Sequence, residues 1–235
     1  MSDRLGGEVG RKPMHFFFVL DVSGSMRRDG RIQALNNAIR EVVPQLRDEA
    51  LANPHAQLLI RVLAFATEAH WVVERPTPVE EFRWRGVDAV PRGLTELGLA
   101  LRELARCMRE LAETGRGFPP AIILVSDGHP THTAGPHFAT GLQELMAEPW
   151  GRAAVRLALG VGRDADMHSL RRFIGREDVP LVRADNPQQL TEFLVWASKA
   201  ASRGSSMPVI GDSAGITFTT PEVTSADPIW NPIQP

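Results

Sequence analysis

The stretch FFFVLDVSGS, residues 16–25, decides the fold of this chain. Five apolar residues, Phe16 to Leu20, run without a break into Asp21. A continuous apolar run of this length fits a strand that is buried on both faces, as in a parallel sheet. Such a strand delivers Asp21 to its carboxyl end, which is where α/β proteins bind their ligands.

The residues after this strand form an oxygen-rich loop. Asp21 supplies a carboxylate, and Ser23 and Ser25 supply hydroxyls at alternate positions. Hard cations such as Mg²⁺ prefer sets of oxygen ligands and usually keep waters and open positions as well. Hydroxyls that merely bond the backbone of a turn are the simpler interpretation of Ser23 and Ser25.

In the rest of the chain, continuous apolar runs typical of strands alternate with segments whose apolar residues recur at helical spacing. Residues 121–128, AIILVSDG, resemble residues 16–21 in that an apolar run leads to an aspartate, here Asp127. A stripe of leucines between Leu97 and Leu111 predicts the clearest helix. This order predicts an α/β fold with a doubly wound, mostly parallel sheet. HWVVE, residues 70–74, is predicted as an antiparallel edge strand, and the Pro-rich residues 75–91 as mostly loop.

The organisation along the chain predicts one domain with two flanking segments. We expect a flexible N-terminus at residues 1–13, the domain at 14–201 and an extended Ser/Thr/Pro-rich tail at 202–235. Apolar residues such as Ile229 and Trp230 interrupt the tail. The composition leaves open whether they dock on this domain or on a partner.

Three separate loops are candidates for one site. Asp21 and Asp127 follow two strands that lie about 5 Å apart if they are adjacent in the sheet, so that their loops can share one ligand. Thr95, in GLTELGLAL, adds a hydroxyl just before the clearest helix. By itself, a threonine in this position is most often a helix N-cap.

In these three motifs the chain resembles the von Willebrand factor A family. That family has a metal-ion-dependent adhesion site, with D-x-S-x-S after the first strand, a Thr on a second loop and an Asp on a third. Here the corresponding parts are Asp21-Val22-Ser23-Gly24-Ser25, Thr95 and Asp127, in the expected order. The phrases FFFVLDVSGSM and ILVSDGHPT look most like the small bacterial type associated with tellurium-resistance gene clusters.

The resemblance implies a Rossmann-like fold and a Mg²⁺ ion, with Mn²⁺ as an alternative. The ion would be bound by the hydroxyls of Ser23, Ser25 and Thr95, with Asp21 and Asp127 in contact directly or through water. It further implies a non-enzymatic module that binds a Glu or Asp of a partner protein through the ion. For the tellurium-resistance type, it implies a stress-response system with a protein kinase and a phosphatase. The tail threonines are then candidate phosphorylation sites (Thr217, Thr219, Thr220 and Thr224).

The bulk properties narrow the class of protein. The 235 residues are 43% hydrophobic with a net charge of −2, which fits a globular domain and gives no basic footprint for nucleic acid. Cys107 is the single cysteine, so no intrachain disulfide can form, and it is predicted as a core residue. No apolar signal peptide or run of about 20 apolar residues occurs. We therefore expect a cytoplasmic protein with no membrane partner.

Other functions are weaker alternatives. His129, His132 and His137 lack the spacing of a zinc site and are predicted to lie in a solvated loop. A metal-dependent phosphoester hydrolase is the rival class, but Ser23 stands where aspartyl phosphatases carry a general acid. An accessory subunit of an ATP-driven, chelatase-like machine is the third possibility.

Overall fold

The computed structural model describes residues 11–115, 117–133 and 135–206. Its six strands are β1 (Lys12–Asp21), β2 (Ala56–Phe65), β3 (Ala69–Pro78), β4 (Ala121–Ser126), β5 (Val155–Val161) and β6 (Val182–Ala184). Its α-helices are α1 (Arg31–Ala52), α2 (Leu97–Thr114), α3 (Phe138–Ala147), α4 (Pro149–Ala153), α5 (Met167–Ile174) and α6 (Pro187–Ser206). A 3₁₀ segment at Gly24–Gly30 precedes α1.

The strands form one sheet in the order β3-β2-β1-β4-β5-β6. All neighbouring pairs are parallel except β2 with β3, which is the antiparallel edge. The predicted doubly wound, mostly parallel sheet with one antiparallel edge strand is therefore confirmed. The chain winds outward in opposite directions from β1 and β4, so the switch point of the sheet lies between these two strands.

The register of β1 against β4 decides what meets at the switch point. Leu20 pairs with Val125, which places Asp21 beside Ser126 and close to the loop that begins at Asp127. The two carboxylates that the sequence singled out therefore share one crevice at the carboxyl edge of the sheet.

Two groups of helices cover the sheet. Helix α1 packs against α6, and α2 packs against α3 and α4. The predicted leucine stripe of α2 is buried except for the partly buried Leu111, and Gly115, in the left-handed region at φ 64°, ends the helix. Helices α2 and α3 cross so closely that a Cβ on Gly141 would clash with the backbone oxygen of Gly98.

A buried cation, Arg61, lies in the core. Arg61 of β2 is 7% exposed, and its guanidinium lies 4.4 Å from the ring centroid of Trp71. Its Nη1 donates to Sγ of Cys107 over 2.7 Å. Burial raises the pKa of the Cys107 thiol to about 12, although the charge of Arg61 opposes this shift. Cys107 thus packs as a core residue, as predicted.

Several predicted boundaries need correction. Strand β3 continues to Pro78, four residues beyond the predicted end, because an edge strand tolerates proline. The sequence did not reveal the 3₁₀ segment that precedes α1. Helix α6 continues to Ser206, past the predicted end of the domain, while β1 begins at Lys12.

The remaining tail, from residue 207, and its candidate phosphorylation sites lie outside the described residues, as do residues 1–10. None of the helices within the described ranges is both long and apolar enough to span a membrane.

Candidate metal centre

Asp21 is a fully buried carboxylate at the end of β1. The backbone N–H of Ser23 donates to its Oδ1 over 2.8 Å, and Oγ of Ser126 donates to its Oδ2 over 2.6 Å. Burial raises the pKa of Asp21 to about 6, although these hydrogen bonds oppose the shift. Within the described ranges, no cationic side chain contacts Asp21. Its charged form therefore lacks a counter-ion that a bound cation would supply.

A chain of hydrogen bonds joins the first and third loops. The hydroxyl oxygens of Ser23 and Ser25 lie 2.9 Å apart. Oγ of Ser25 then donates to Oδ1 of Asp127 over 2.6 Å. Three of the predicted ligands thus lie in direct contact, although Asp127 is far from the other two in sequence.

Thr95 belongs to the same cluster. It is buried, and a Cβ on Gly128 would lie 3.1 Å from Oγ1 of Thr95 and 3.7 Å from Oγ of Ser25. The interpretation of Thr95 as a helix N-cap is wrong, because α2 begins at Leu97 and Glu96 occupies the N-cap position. The hydroxyl of Thr95 is therefore not used to cap the helix.

Backbone hydrogen bonds hold the three loops together. The N–H of Gly24 donates to the carbonyl of Gly93 over 2.9 Å, which joins the first loop to the second. The N–H of Thr131 donates to the carbonyl of Thr95 over 2.8 Å, and the N–H of Thr95 donates to Oγ1 of Thr131 over 3.0 Å. The structure thus brings all five predicted site residues together (Asp21, Ser23, Ser25, Thr95 and Asp127), while their role as metal ligands stays a prediction.

Glu96 is a buried carboxylate that the sequence did not single out. Its Oε1 accepts hydrogen bonds from the backbone N–H and Oγ1 of Thr133, each over 2.7 Å, and from Oγ1 of Thr131 over 3.2 Å. These bonds fasten the loop after β4 to the residue that follows Thr95. Glu96 therefore fixes the position of the second loop relative to the third.

Arg31 is the second residue that sequence reasoning missed. Its Nη1 donates to Oδ2 of Asp127 over 2.7 Å, and its Nη2 donates to Oδ1 of Asp164 over 2.6 Å. Burial alone would lower the pKa of Arg31, but the hydrogen bonds to both carboxylates raise it above its usual value. The same contact lowers the pKa of Asp164. One guanidinium thus bridges the loops after β4 and β5.

The sequence carried a weak signal for one of the missed groups. Ser126 directly precedes Asp127 at the end of an apolar run, so a strand-end hydroxyl was visible there. Arg31 and Glu96 gave no comparable signal, since their partners lie far away in the sequence.

The three histidines do not form a zinc site. His129 faces Asp166, with 3.2 Å between Nδ1 and Oδ2, whereas the rings of His132 and His137 pack against each other with centroids 3.9 Å apart. Throughout the described part of the chain, no three His, Cys, Asp or Glu side chains converge in a way that could hold a metal.

The donor set of the central cluster fits a hard divalent cation. Its side chains offer oxygen alone, from two carboxylates and three hydroxyls, and one of the carboxylates has neutral partners in the described structure. Mg²⁺ and Mn²⁺ accept such ligands, whereas a structural zinc site normally uses nitrogen or sulfur. If an ion binds here, Ser23, Ser25 and Thr95 would supply hydroxyl oxygens, and Asp21 and Asp127 the negative charge.

A known family model matches part of the chain. Residues 16–129 match the family model described as von Willebrand factor type A domain. This segment includes all three loops of the candidate metal centre. No curated protein sequence matches the chain.

Solved structures share the fold at low sequence identity. A von Willebrand factor type A protein from Catenulispora acidiphila is 17% identical, with a TM-score of 0.59 over 82% of this chain and 43% of that chain. The ArnB paralog VWA2 from Sulfolobus acidocaldarius is 16% identical, with a TM-score of 0.55 over 78% and 44%. The mussel byssus protein PTMP1 with a zinc-occupied MIDAS (metal-ion-dependent adhesion site) motif is 15% identical, with a TM-score of 0.57 over 80% of this chain and 48% of that chain. The chain thus spans less than half of the length of each structure.

Proposed function

We propose that this von Willebrand factor type A domain binds a divalent cation and uses it to capture an acidic side chain of a partner protein. Mg²⁺ is the proposed ion, with Mn²⁺ as the alternative, and the proposed ligands are Asp21, Ser23, Ser25, Thr95 and Asp127. Domains of this family are commonly metal-dependent protein-interaction modules. The observation that carries the proposal is the convergence of three loops, in which Ser25 contacts both Ser23 and Asp127.

The charge balance of the cluster supports an acidic partner. Hydroxyls supply three of the five donors, so the bound ion would keep much of its positive charge. A divalent ion with few anionic ligands attracts an incoming carboxylate and holds open positions for it. The zinc-occupied MIDAS motif of the mussel byssus protein further supports metal binding at this place in the fold.

We propose that the domain binds without catalysing a reaction. Asp21 lies at a strand end, where it resembles an aspartyl nucleophile, but its immediate partners are the hydroxyl of Ser126 and the backbone of Ser23. Neither group is a general acid that would protonate a leaving group at neutral pH.

The proposed setting is bacterial and cytoplasmic, with a protein kinase and a phosphatase as partners in a tellurium-resistance-type stress response. The phrases FFFVLDVSGSM and ILVSDGHPT support this setting by their likeness to that group. The single cysteine supports a reducing compartment.

Calorimetry and partner capture test the proposal together. We expect Mg²⁺ or Mn²⁺ to bind the full chain with one site, and Asp21→Ala to remove that binding. Immobilised wild-type chain should capture a partner from native lysate with Mg²⁺ and release it with EDTA, whereas Asp21→Ala should capture none. Ser198→Ala is the control, because Oγ of Ser198 is buried in α6 without a hydrogen-bond partner among the described residues.

Two results would contradict the proposal. A wild-type chain that gives no heat with either ion lacks the metal site. Hydrolysis of p-nitrophenyl phosphate that is lost with EDTA, restored with Mg²⁺ and absent in Asp21→Ala would favour the hydrolase alternative.

A further inference from the structure

Arg31 places a fixed positive charge against the candidate metal centre. It is the first residue of α1, and its side chain is 11% exposed. Its two terminal nitrogens are divided between Asp127, a proposed metal ligand, and Asp164, which follows β5. The side chain of Asp127 is itself fully buried, so water screens this ion pair little.

Arg31 places a positive charge at the N-terminus of α1, where a helix disfavours it. The first turn of a helix favours negative charge, so a cation there is destabilising. Here Gly30, the residue at the N-cap, offers no side chain to compensate. The carboxylates of Asp127 and Asp164 offset this cost, so tertiary contacts stabilise the charge.

The loop after β5 is shaped around the guanidinium. Gly162 has φ +83°, and a Cβ at this position would lie 2.6 Å from Nη2 of Arg31. A glycine is therefore needed here both for the backbone conformation and for the space that Arg31 occupies. This fit holds the charge in one place beside Asp127.

Both oxygens of Asp127 are engaged in the structure. Oδ1 accepts from Ser25, and Oδ2 accepts from Arg31. A divalent ion that contacts Asp127 therefore competes with one guanidinium for the charge of a single carboxylate. At a part-buried site the repulsion between the two cations is substantial, because the effective dielectric constant is about 20 rather than 80.

From these contacts we propose that Arg31 is an internal counter-cation of the metal centre, which lowers its affinity for the divalent ion and leaves the loaded site with excess positive charge. This inference rests on the proposed function. The buried charges of Asp21, Asp127 and Arg31 sum to −1, so a bound divalent ion brings this buried group to +1, whereas without Arg31 it would be neutral. Asp164, the other partner of Arg31, has a side chain that is 48% exposed, so water screens its charge. Arg31 thereby lowers the affinity of the site for the metal ion and strengthens the attraction of the loaded site for a carboxylate of the partner.

Calorimetric titration of the full chain with MgCl₂ alone tests the inference. Arg31→Gln should bind Mg²⁺ about tenfold more tightly than the wild type, the order expected for removal of one charge at a part-buried site. Arg31→Lys keeps the charge and should stay within about threefold of the wild type.

A neighbouring arginine supplies the matched control. Arg28 reaches the same Asp164 over 3.5 Å, but its side chain is 67% exposed, and its ion pair in the described structure is with Asp164 rather than Asp127. Arg28→Gln removes the same formal charge and should change the Mg²⁺ affinity less than about twofold, since exposed charges are well screened.

Thermal unfolding in EDTA gives a readout that does not depend on the ion. Arg31→Gln should unfold at a lower temperature than the wild type, because Asp127 loses its buried partner, and saturating Mg²⁺ should raise its midpoint by more than it raises that of the wild type. The pairing of Arg31 with Asp164 is tested separately by Asp164→Asn, which keeps Arg31 on Asp127 and should leave the Mg²⁺ affinity within about threefold.

The outcomes separate the two proposals. A wild type that does not bind Mg²⁺ or Mn²⁺ overturns the proposed function. A wild type that binds, together with Arg31→Gln that folds and binds equally or more weakly, overturns the role of Arg31 alone. If Arg31→Gln does not fold, Arg31→Met replaces it, and equal or weaker binding by that variant overturns the inference in the same way.

Discussion

Ser25 and Asp127 lie 102 residues apart in the sequence, yet Oγ of Ser25 donates to Oδ1 of Asp127 over 2.6 Å. The bond joins the loop after β1 to the loop after β4 at the switch point of the sheet. It forms because these two strands are neighbours, so their loops emerge side by side at the same edge.

Loss of the Ser25 hydroxyl should weaken metal binding. We expect Ser25→Ala to lower the affinity for Mg²⁺ by about tenfold or more, since one donor and the anchor of Asp127 disappear together. Isothermal titration calorimetry measures the change. Ser198→Ala serves as the control and should bind like the wild type. Equal affinities of Ser25→Ala and wild type would show that this hydroxyl is not part of the site.

Asp21→Asn should stabilise the metal-free chain at pH 7.5. A carboxylate with a raised pKa holds its proton longer in the folded state, so stability falls as the pH rises from about 4 to about 6. Above that window the buried charge costs up to about 3 kcal/mol, and asparagine avoids the cost. Urea unfolding in EDTA should therefore give a higher free energy of unfolding for Asp21→Asn, by about 1–3 kcal/mol.

Magnesium should remove most or all of the stability difference between Asp21→Asn and the wild type. The wild type gains binding energy from the ion, whereas Asp21→Asn lacks the charge that holds it. Urea unfolding in 10 mM MgCl₂, an illustrative excess of roughly 100 times a dissociation constant of about 0.1 mM, should add about 2.7 kcal/mol to the wild type alone. A less stable Asp21→Asn variant in EDTA at pH 7.5 would contradict the raised pKa.

His15 should make stability depend on pH in the opposite sense. Burial, with a smaller contribution from the charge of Arg61, lowers the pKa of His15 to about 4. The unfolded chain then binds the proton more readily, so stability is lost as the pH falls from about 6.5 towards about 4. In an Asp21→Asn background, His15→Gln should reduce the slope of unfolding free energy against pH by up to about 1.4 kcal/mol per pH unit.

A matched histidine controls this measurement. His55 is exposed in the turn before β2, so His55→Gln is the matched control for the loss of one imidazole. Urea unfolding at three pH values gives the slopes. Identical slopes for His15→Gln and its parent would show that the imidazole titrates alike in the folded and unfolded chains.

Glu96 should matter for both stability and metal binding. Glu96→Gln weakens the charge-assisted hydrogen bonds to Thr131 and Thr133, and we expect a loss of about 1–3 kcal/mol in unfolding free energy. Because the bonds fix the loop beside Thr95, the Mg²⁺ affinity should fall as well. Glu103→Gln, which removes an ion pair with the exposed Arg106, should cost about 1 kcal/mol or less. A Glu96→Gln variant as stable as Glu103→Gln would contradict the assigned role.

Local patterns in the sequence were sufficient for most of the fold. The apolar runs ending at Asp21 and Asp127 predicted buried parallel strands, and the leucine stripe between Leu97 and Leu111 predicted the helix α2. These features follow from side-chain periodicity and burial, which a short segment expresses by itself. The edge strand was harder, since Arg75 to Pro78 has no strand pattern and is held by pairing with Leu59 and Ile60.

The sequence by itself determined which oxygen atoms are available for a cation and at which strand ends they lie. The tertiary structure alone decided which charges face them. Arg31 meets Asp127, and Glu96 meets Thr133, because the strand order brings separate loops to one edge of the sheet. Strand order depends on packing between distant segments, and no local spacing encodes it. The motif could therefore name the candidate ligands, whereas it could not predict the charged residues that surround them.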